Sequence, residues 1–165
     1  MTRQVSHPVP TREARAMATI EYVRDLVRRD NGLAVVVTQR GDGSPQASIA
    51  NAGVLAHPVS GDAVVGLVVR GDTRKHANLR RRPRATIVFR VGWEWVAVEG
   101  PVDLAGPDDP LDGLDAGRVP QVLRDVFSAA GGTHDDWDEY DRVMAGERRL
   151  AVLVAPERVY SNPGT

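Results

Sequence analysis

A threonine, an arginine and a lysine stand together at Thr73-Arg74-Lys75, just after a turn at Gly71-Asp72 and before a short helical pattern that Pro83 stops. Thr73 suits the N-cap, which places Arg74 and Lys75 in the first helical turn. That turn has free N–H groups and the positive end of the helix dipole, and it ordinarily favours acids. Two cations there oppose the helix taken alone. A bound anion reverses the sign, because a phosphate would be held by backbone donors, a guanidinium fork and a point-charge ammonium. Lys75 is also the only lysine among 21 basic residues, so one position keeps a compact ammonium where all others carry guanidinium.

Two other readings use the same residues. Arg74 and Lys75 can be solvated surface charges with no ligand. Alternatively, the basic residues between Arg70 and Arg90, among them Arg80, Arg81, Arg82 and Arg84, can meet a nucleic-acid backbone. Only Phe89 is aromatic in that span, so no stacking platform accompanies the charge. The net charge of −1 gives no global attraction to nucleic acid or to an anionic membrane.

The elements that must position the segment follow from periodicity. Ile20, Val23, Leu26 and Val27 share one face of a helix running from about Glu13 to Arg29, ended by Asn31-Gly32. The runs 33–38, 46–55 and 63–70 read as strands separated by turns at Gly41-Asp42-Gly43 and Ser60-Gly61-Asp62. The helix after Gly71-Asp72 spans Thr73 to about Arg82. Strands follow at 85–91 and 94–104, then helices at about 119–130 and 135–148. A last strand spans 150–154, with an extension near Val159-Tyr160. About six strands with helices among them suit a small closed barrel, which leaves no sheet edge exposed.

The pattern Thr73-Arg74-Lys75-x-x-x-Leu79-x-x-x-Pro83-x-Ala85 resembles the signature of the pyridoxamine 5′-phosphate oxidase-like split barrels. Asn78-Leu79-Arg80-Arg81 and Gly92-Trp93-Glu94-Trp95 look like the actinobacterial branch that uses the deazaflavin coenzyme F420. Asp136-Trp137 through Tyr140 and Arg158-Val159-Tyr160 agree with it, so the resemblance covers roughly residues 18 to 163. It implies a mainly β, α+β fold, a six-stranded antiparallel split barrel with flanking helices. It also implies a homodimer with cofactor sites at the subunit interface.

Residue by residue, the resemblance gives Thr73, Arg74 and Lys75 the cofactor phosphate, with Asn78 a polar position one turn on. Ser48 and Asn51 would lie along the ring of the cofactor, and Val68 and Val69 would meet it through backbone and apolar contact. Trp93 matches a tryptophan that approaches the site from the partner subunit, and its other reading is a core or interface aromatic. Arg80, Arg81 and Arg82 are candidates for attracting the acidic tail of F420. The expected function is an F420-dependent oxidoreductase acting on a small molecule. The alternatives are an FMN-dependent oxidase or reductase and a non-catalytic carrier of the same cofactors. No residue is nominated as catalytic.

The second strand departs from many relatives, with small residues at Ala47-Ser48-Ile49-Ala50-Asn51-Ala52-Gly53, and a roomier substrate side is expected there. Residues 1–12 are expected to be an arm and 13–165 a single cofactor-binding domain. No cysteine is present, and neither His spacing nor the acidic stretch 108–115 matches a metal site. No Gly-x-Ser-x-Gly elbow supports a hydrolase. Arg3 and Arg12 are followed by no apolar leader, no run reaches membrane-spanning length, and a cytoplasmic location is expected.

Overall fold

The computed structural model describes residues 19–162. The expected arm, 1–12, lies outside the described residues. Helix α1 occupies Ile20–Arg29, capped by the extended Thr19, whose hydroxyl accepts from the Tyr22 amide, and the rest of the expected helix, 13–18, lies outside the described residues. Strands β1 (Leu33–Gln39), β2 (Pro45–Ala56) and β3 (Ala63–Val69) are followed by α2 (Arg74–Arg81), β4 (Arg84–Val91) and β5 (Glu94–Ala105). A 3-10 turn, Ala116–Arg118, leads into α3 (Val119–Ala129) and α4 (Trp137–Gly146), then β6 (Leu150–Val154) and β7 (Arg158–Tyr160).

All the pairings are antiparallel, and the order β1-β2-β3-β6-β5-β4 closes on β1 as a six-stranded barrel. β7 runs along the edge of β5 that β6 uses, with Arg158 opposite Glu99 where Val154 is opposite Val102. It is therefore the continuation of β6 after a one-residue register shift, as the sequence near Val159-Tyr160 suggested.

β2 and β5 are long enough to serve two sheets. Up to Asn51, β2 pairs with β1, and from Ala52 onward it pairs with β3. The first half of β5 pairs with β4 and its second half with β6. The barrel is thus split into two sheets that share two strands. The sheet containing β3 and β6 is buried on both faces, toward the barrel interior and under α3 and α4, so these strands read as continuous apolar runs. The sheet containing β1 and β4 is buried on the inside only, and burial alternates along it.

Inside the barrel, Val36, Leu67, Ile87, Phe89 and Val98 are fully buried, and Val23 and Leu26 of α1 close the cluster. Each such side chain contributes about 1.5–3 kcal/mol by leaving water. Outside it, Val122, Leu123 and Val126 of α3 and Tyr140 of α4 cover Val64 and Leu153. The Tyr140 hydroxyl donates to the Leu123 carbonyl, which ties the two helices, and burial pushes that phenol up to about 12.

Gly53 decides how closely α3 can lie on the barrel. A Cβ there would stand 2.2 Å from the Ala129 carbonyl carbon and oxygen. The small residues around 52–53 thus serve helix packing and do not enlarge a substrate pocket. The earlier ones, Ser48, Ala50 and Asn51, line open space.

Candidate functional site

The barrel opens where β2 changes partner. Beyond Ala52 opposite Leu67, the two strands part, because β3 continues against β6 through Val68 and Val69 while β2 turns toward β1 through Asn51. Along residues 45–51, the edge of β2 away from β1 has no strand partner among the described residues. Such an edge presents unpaired peptide donors and acceptors. A cleft of about 730 Å³ occupies the gap.

The structure brings seven of the nine predicted residues to this cleft: Ser48 and Asn51 on β2, Val68 and Val69 on β3, and Thr73, Arg74 and Lys75 at the start of α2. The local reason is a sharp turn at Gly71, where a Cβ would meet the Arg148 carbonyl at 2.6 Å. It delivers the N-terminus of α2 to the end of β3. The Thr73 hydroxyl donates to the Arg70 carbonyl at 3.0 Å and accepts from the His76 amide at 3.3 Å. The Arg74 and Lys75 amides lie ahead of that cap, where a helix has no acceptor of its own to offer.

Lys75 is half-buried and forms no ion pair with a carboxylate among the described residues. Desolvation alone holds its ammonium below the usual lysine range. The unfolded chain therefore keeps this proton to higher pH, and the charged folded form is destabilised at neutral pH. A bound anion would compensate it. The expected result is that Lys75→Met raises the Tm of the ligand-free protein by roughly 2–4 °C, the scale of a gain near 1 kcal/mol, while weakening anion binding. Thermal melts with and without inorganic phosphate check both signs.

Two predicted residues lie elsewhere. Asn78 is only 1% exposed and sits behind the cleft, where its amide nitrogen donates to the Thr38 hydroxyl at 3.0 Å and to the Gln46 carbonyl at 2.8 Å. It fixes Gln46, which does line the cleft. Trp93 sits between β4 and β5 with 87% of its surface exposed, so it is not a core residue of this chain, and it does not line the cleft.

The arginines at 80–82 are at the other end of α2, about 10 Å along the axis, and none lines the cleft. Arg80 is committed to Asp109, with nitrogens 2.7 and 3.0 Å from the two carboxylate oxygens. Asp109 also meets the buried His76 ring at 2.7 Å. Burial alone would raise the Asp109 carboxyl, but hydrogen bonds from Arg80 and His76 outweigh it and hold the group below the usual range.

A depressed carboxyl stabilises the fold above its unfolded pKa of about 3.9 and loses that contribution as pH falls through the folded value. Asp109→Asn is therefore expected to melt earlier than the parent near pH 6, with the gap narrowing as pH falls below about 4 in melts across that range.

Sequence reasoning missed Arg70, Arg149, Asn31 and the end of α3, all of which line the cleft. Arg149 stands just before β6, and its position depends on β6 lying beside β3. Asn31 accepts through its backbone carbonyl from the Asn51 side chain at 2.8 Å. Phe127, Gly131 and Gly132 arrive because α3 ends against β2, which no local pattern announces.

No family model matches the chain. Among solved structures, a conserved hypothetical protein from Mycobacterium tuberculosis is similar at 20% identity and a TM-score of 0.65, covering 93% of this chain and 89% of that one. A pyridoxamine 5′-phosphate oxidase-related, FMN-binding protein from Nostoc punctiforme is similar at 14% identity and a TM-score of 0.58, covering 93% and 84%. A structure described as an F420 reductase is similar at 15% identity and a TM-score of 0.52, covering 77% and 87%. No helix among the described residues is long and apolar enough to cross a membrane. These likenesses reach the fold, and the chain has the fold of the pyridoxamine 5′-phosphate oxidase-like split barrels.

Proposed function

We propose that the protein binds coenzyme F420 in the cleft and acts as a reductase, passing hydride to a small or planar unsaturated substrate. The observation that carries this reading is the charge of the cleft. Arg70, Arg74, Lys75 and Arg149 line it and no carboxylate among the described residues does, in a chain of net charge −1. Arg74 and Lys75 have no acidic partner among those residues, while Arg70 pairs with Asp72 and Arg149 with Glu147 from outside the cleft. FMN offers one phosphate, which Arg74, Lys75 and the α2 amides would suffice to hold. F420 adds an acidic oligoglutamate tail, and its longer anionic stretch answers to four cations better.

When bound, the deazaflavin supplies the hydride chemistry at its central ring carbon. The chain holds the anionic end at Arg74 and Lys75. Its free β2 edge and the Asn51 and Ser48 side chains offer hydrogen bonds for a polar heterocycle, and Val68, Val69 and Ile49 supply apolar wall that excludes water. No carboxylate or imidazole among the described residues lines the cleft, so the contribution of these residues is orientation and electrostatics, with no assigned proton carrier.

The outer face of the β1 sheet supports a homodimer. Leu33, Val35 and Ile49 are 46%, 37% and 63% exposed, and Val35 lies directly opposite Ile49. Ile49 belongs both to that face and to the cleft. A second copy seated there buries these side chains and walls the cleft, so the working unit is a homodimer with cofactor sites between subunits. Its other partner is the small-molecule substrate.

The test is side-by-side fluorescence titration with F420 and FMN. F420 is expected to bind more tightly, and F420 stripped of its tail more weakly than the intact coenzyme. Tighter binding of FMN replaces this reading with the FMN-dependent one, which the resemblance to an FMN-binding neighbour supports. Binding of F420 without turnover of any of a broad panel of unsaturated substrates leaves a carrier.

A further inference from the structure

On the other side of Arg149 lies a second hollow, of about 320 Å³, between the loop 106–116 and helices α3 and α4. Its walls are apolar, with Pro110, Leu111 and Leu114 from the loop, Leu123 from α3 and Met144 from α4. Interiors are normally filled to crystal density, and this volume falls at the lower end of small-ligand sites. The loop wall is held in place. Gly106 and Asp109 bridge to each other, Asp109 is clamped by Arg80, and Asp108 pairs with Arg148. Pro107 and Pro110 restrict the backbone further. A wall that needs no ordering on binding leaves more of the contact energy as affinity.

Two charged side chains border the hollow. The Asp141 carboxylate is already satisfied, with Arg124 nitrogens at 3.0 and 2.6 Å from its two oxygens. Arg149 is different. Its Nε donates to Glu147 at 2.6 Å, and its terminal nitrogens make no hydrogen bond among the described residues. A half-buried guanidinium with an open edge, beside an apolar hollow, is the donor set for a carboxylate.

We infer that this hollow is a second binding site, separate from the cleft, for a small carboxylic acid with an apolar body, the acid group pairing with Arg149. Arg149 lines both cavities, so an acid bound here removes part of the positive charge of the cleft. Occupancy of one site then weakens anion binding at the other, and the effect is mutual by linkage. This coupling rests on the cleft taking an anion, as proposed above, whereas the second site itself does not.

The probe is 4-phenylbutyrate, with 4-phenylbutan-1-ol as its neutral counterpart, titrated calorimetrically into the full chain. The acid is expected to bind saturably and at least about tenfold more tightly than the alcohol, as a charge-assisted pair implies. Arg149→Gln should bring the acid down to the affinity of the alcohol. Leu114→Trp, and separately Ala145→Phe at an exposed helical position, should fill the hollow and weaken the acid by about tenfold or more, and Arg74→Ala should leave it unchanged. Absence of saturable binding overturns the inference, as does equal affinity for acid and alcohol, or unchanged binding in folded variants of both filling kinds. Loss of binding in Arg74→Ala also overturns it, because the probe would then occupy the cleft.

Discussion

With Arg74 and Lys75 both changed to alanine, F420 and FMN are each expected to bind about two to four orders of magnitude more weakly, while the protein melts no earlier than its parent. Charge-assisted hydrogen bonds to a phosphate contribute about 1.5–3 kcal/mol each, and two of them about 3–6 kcal/mol. The unchanged melting follows from what the side chains do in the free protein. Neither has an acidic partner among the described residues, Arg74 is exposed, and Lys75 carries a desolvation cost that its removal relieves. Cofactor titration beside thermal melts separates the two quantities. Undiminished affinity refutes the phosphate assignment. A fall in Tm as large as a simple loss of packing would instead make the pair structural.

Gly53→Val is expected to cost about 3 kcal/mol or more and to lower Tm by roughly 6–12 °C. The new Cβ would lie 2.2 Å from the carbonyl carbon and oxygen of Ala129 and 2.5 Å from the amide nitrogen of Ala130. These are backbone atoms at the end of a helix and cannot turn aside as a flexible side chain can. Either α3 lifts away from β2, or β2 bends. Both disturb Phe127, Gly131 and Gly132 at the cleft, so cofactor affinity falls with stability. Gly146→Val, where an added Cβ meets nothing within 4 Å, is the control expected to cost far less. Denaturant midpoints for the two variants decide it, and a Gly53→Val protein as stable as the control would show that α3 is not packed as described.

Much of the fold was legible in the chain. The alternation of Ala85, Ile87 and Phe89 with Thr86 and Val88 marks β4 and survives as alternating burial. Thr73 caps α2 as expected, by accepting from the third amide onward, a local geometry that residue type nearly decides, whereas the caps at Thr19 and Asp136 were not anticipated. The β1 segment was harder. Its unbroken apolar run suggests burial on both faces, yet Leu33 and Val35 look outward. What covers one face of a strand is not written in that strand.

The candidate site divides along the same line. Thr73, Arg74 and Lys75 are adjacent in sequence, and a cap, a dipole and two charges within one helical turn are properties of a short segment, so the sequence by itself determined them. The meeting of Arg70 and Arg149, the removal of Asn78 to a buried post behind Gln46, and the diversion of Arg80 to Asp109 are different. They depend on β6 joining β3, on β1 and β2 receiving the inner face of α2, and on the loop after β5 folding back. Each contact joins residues some 30 to 80 positions apart. Only the closure of the barrel, driven by burial of its shared interior, decides which of those side chains reach the cleft.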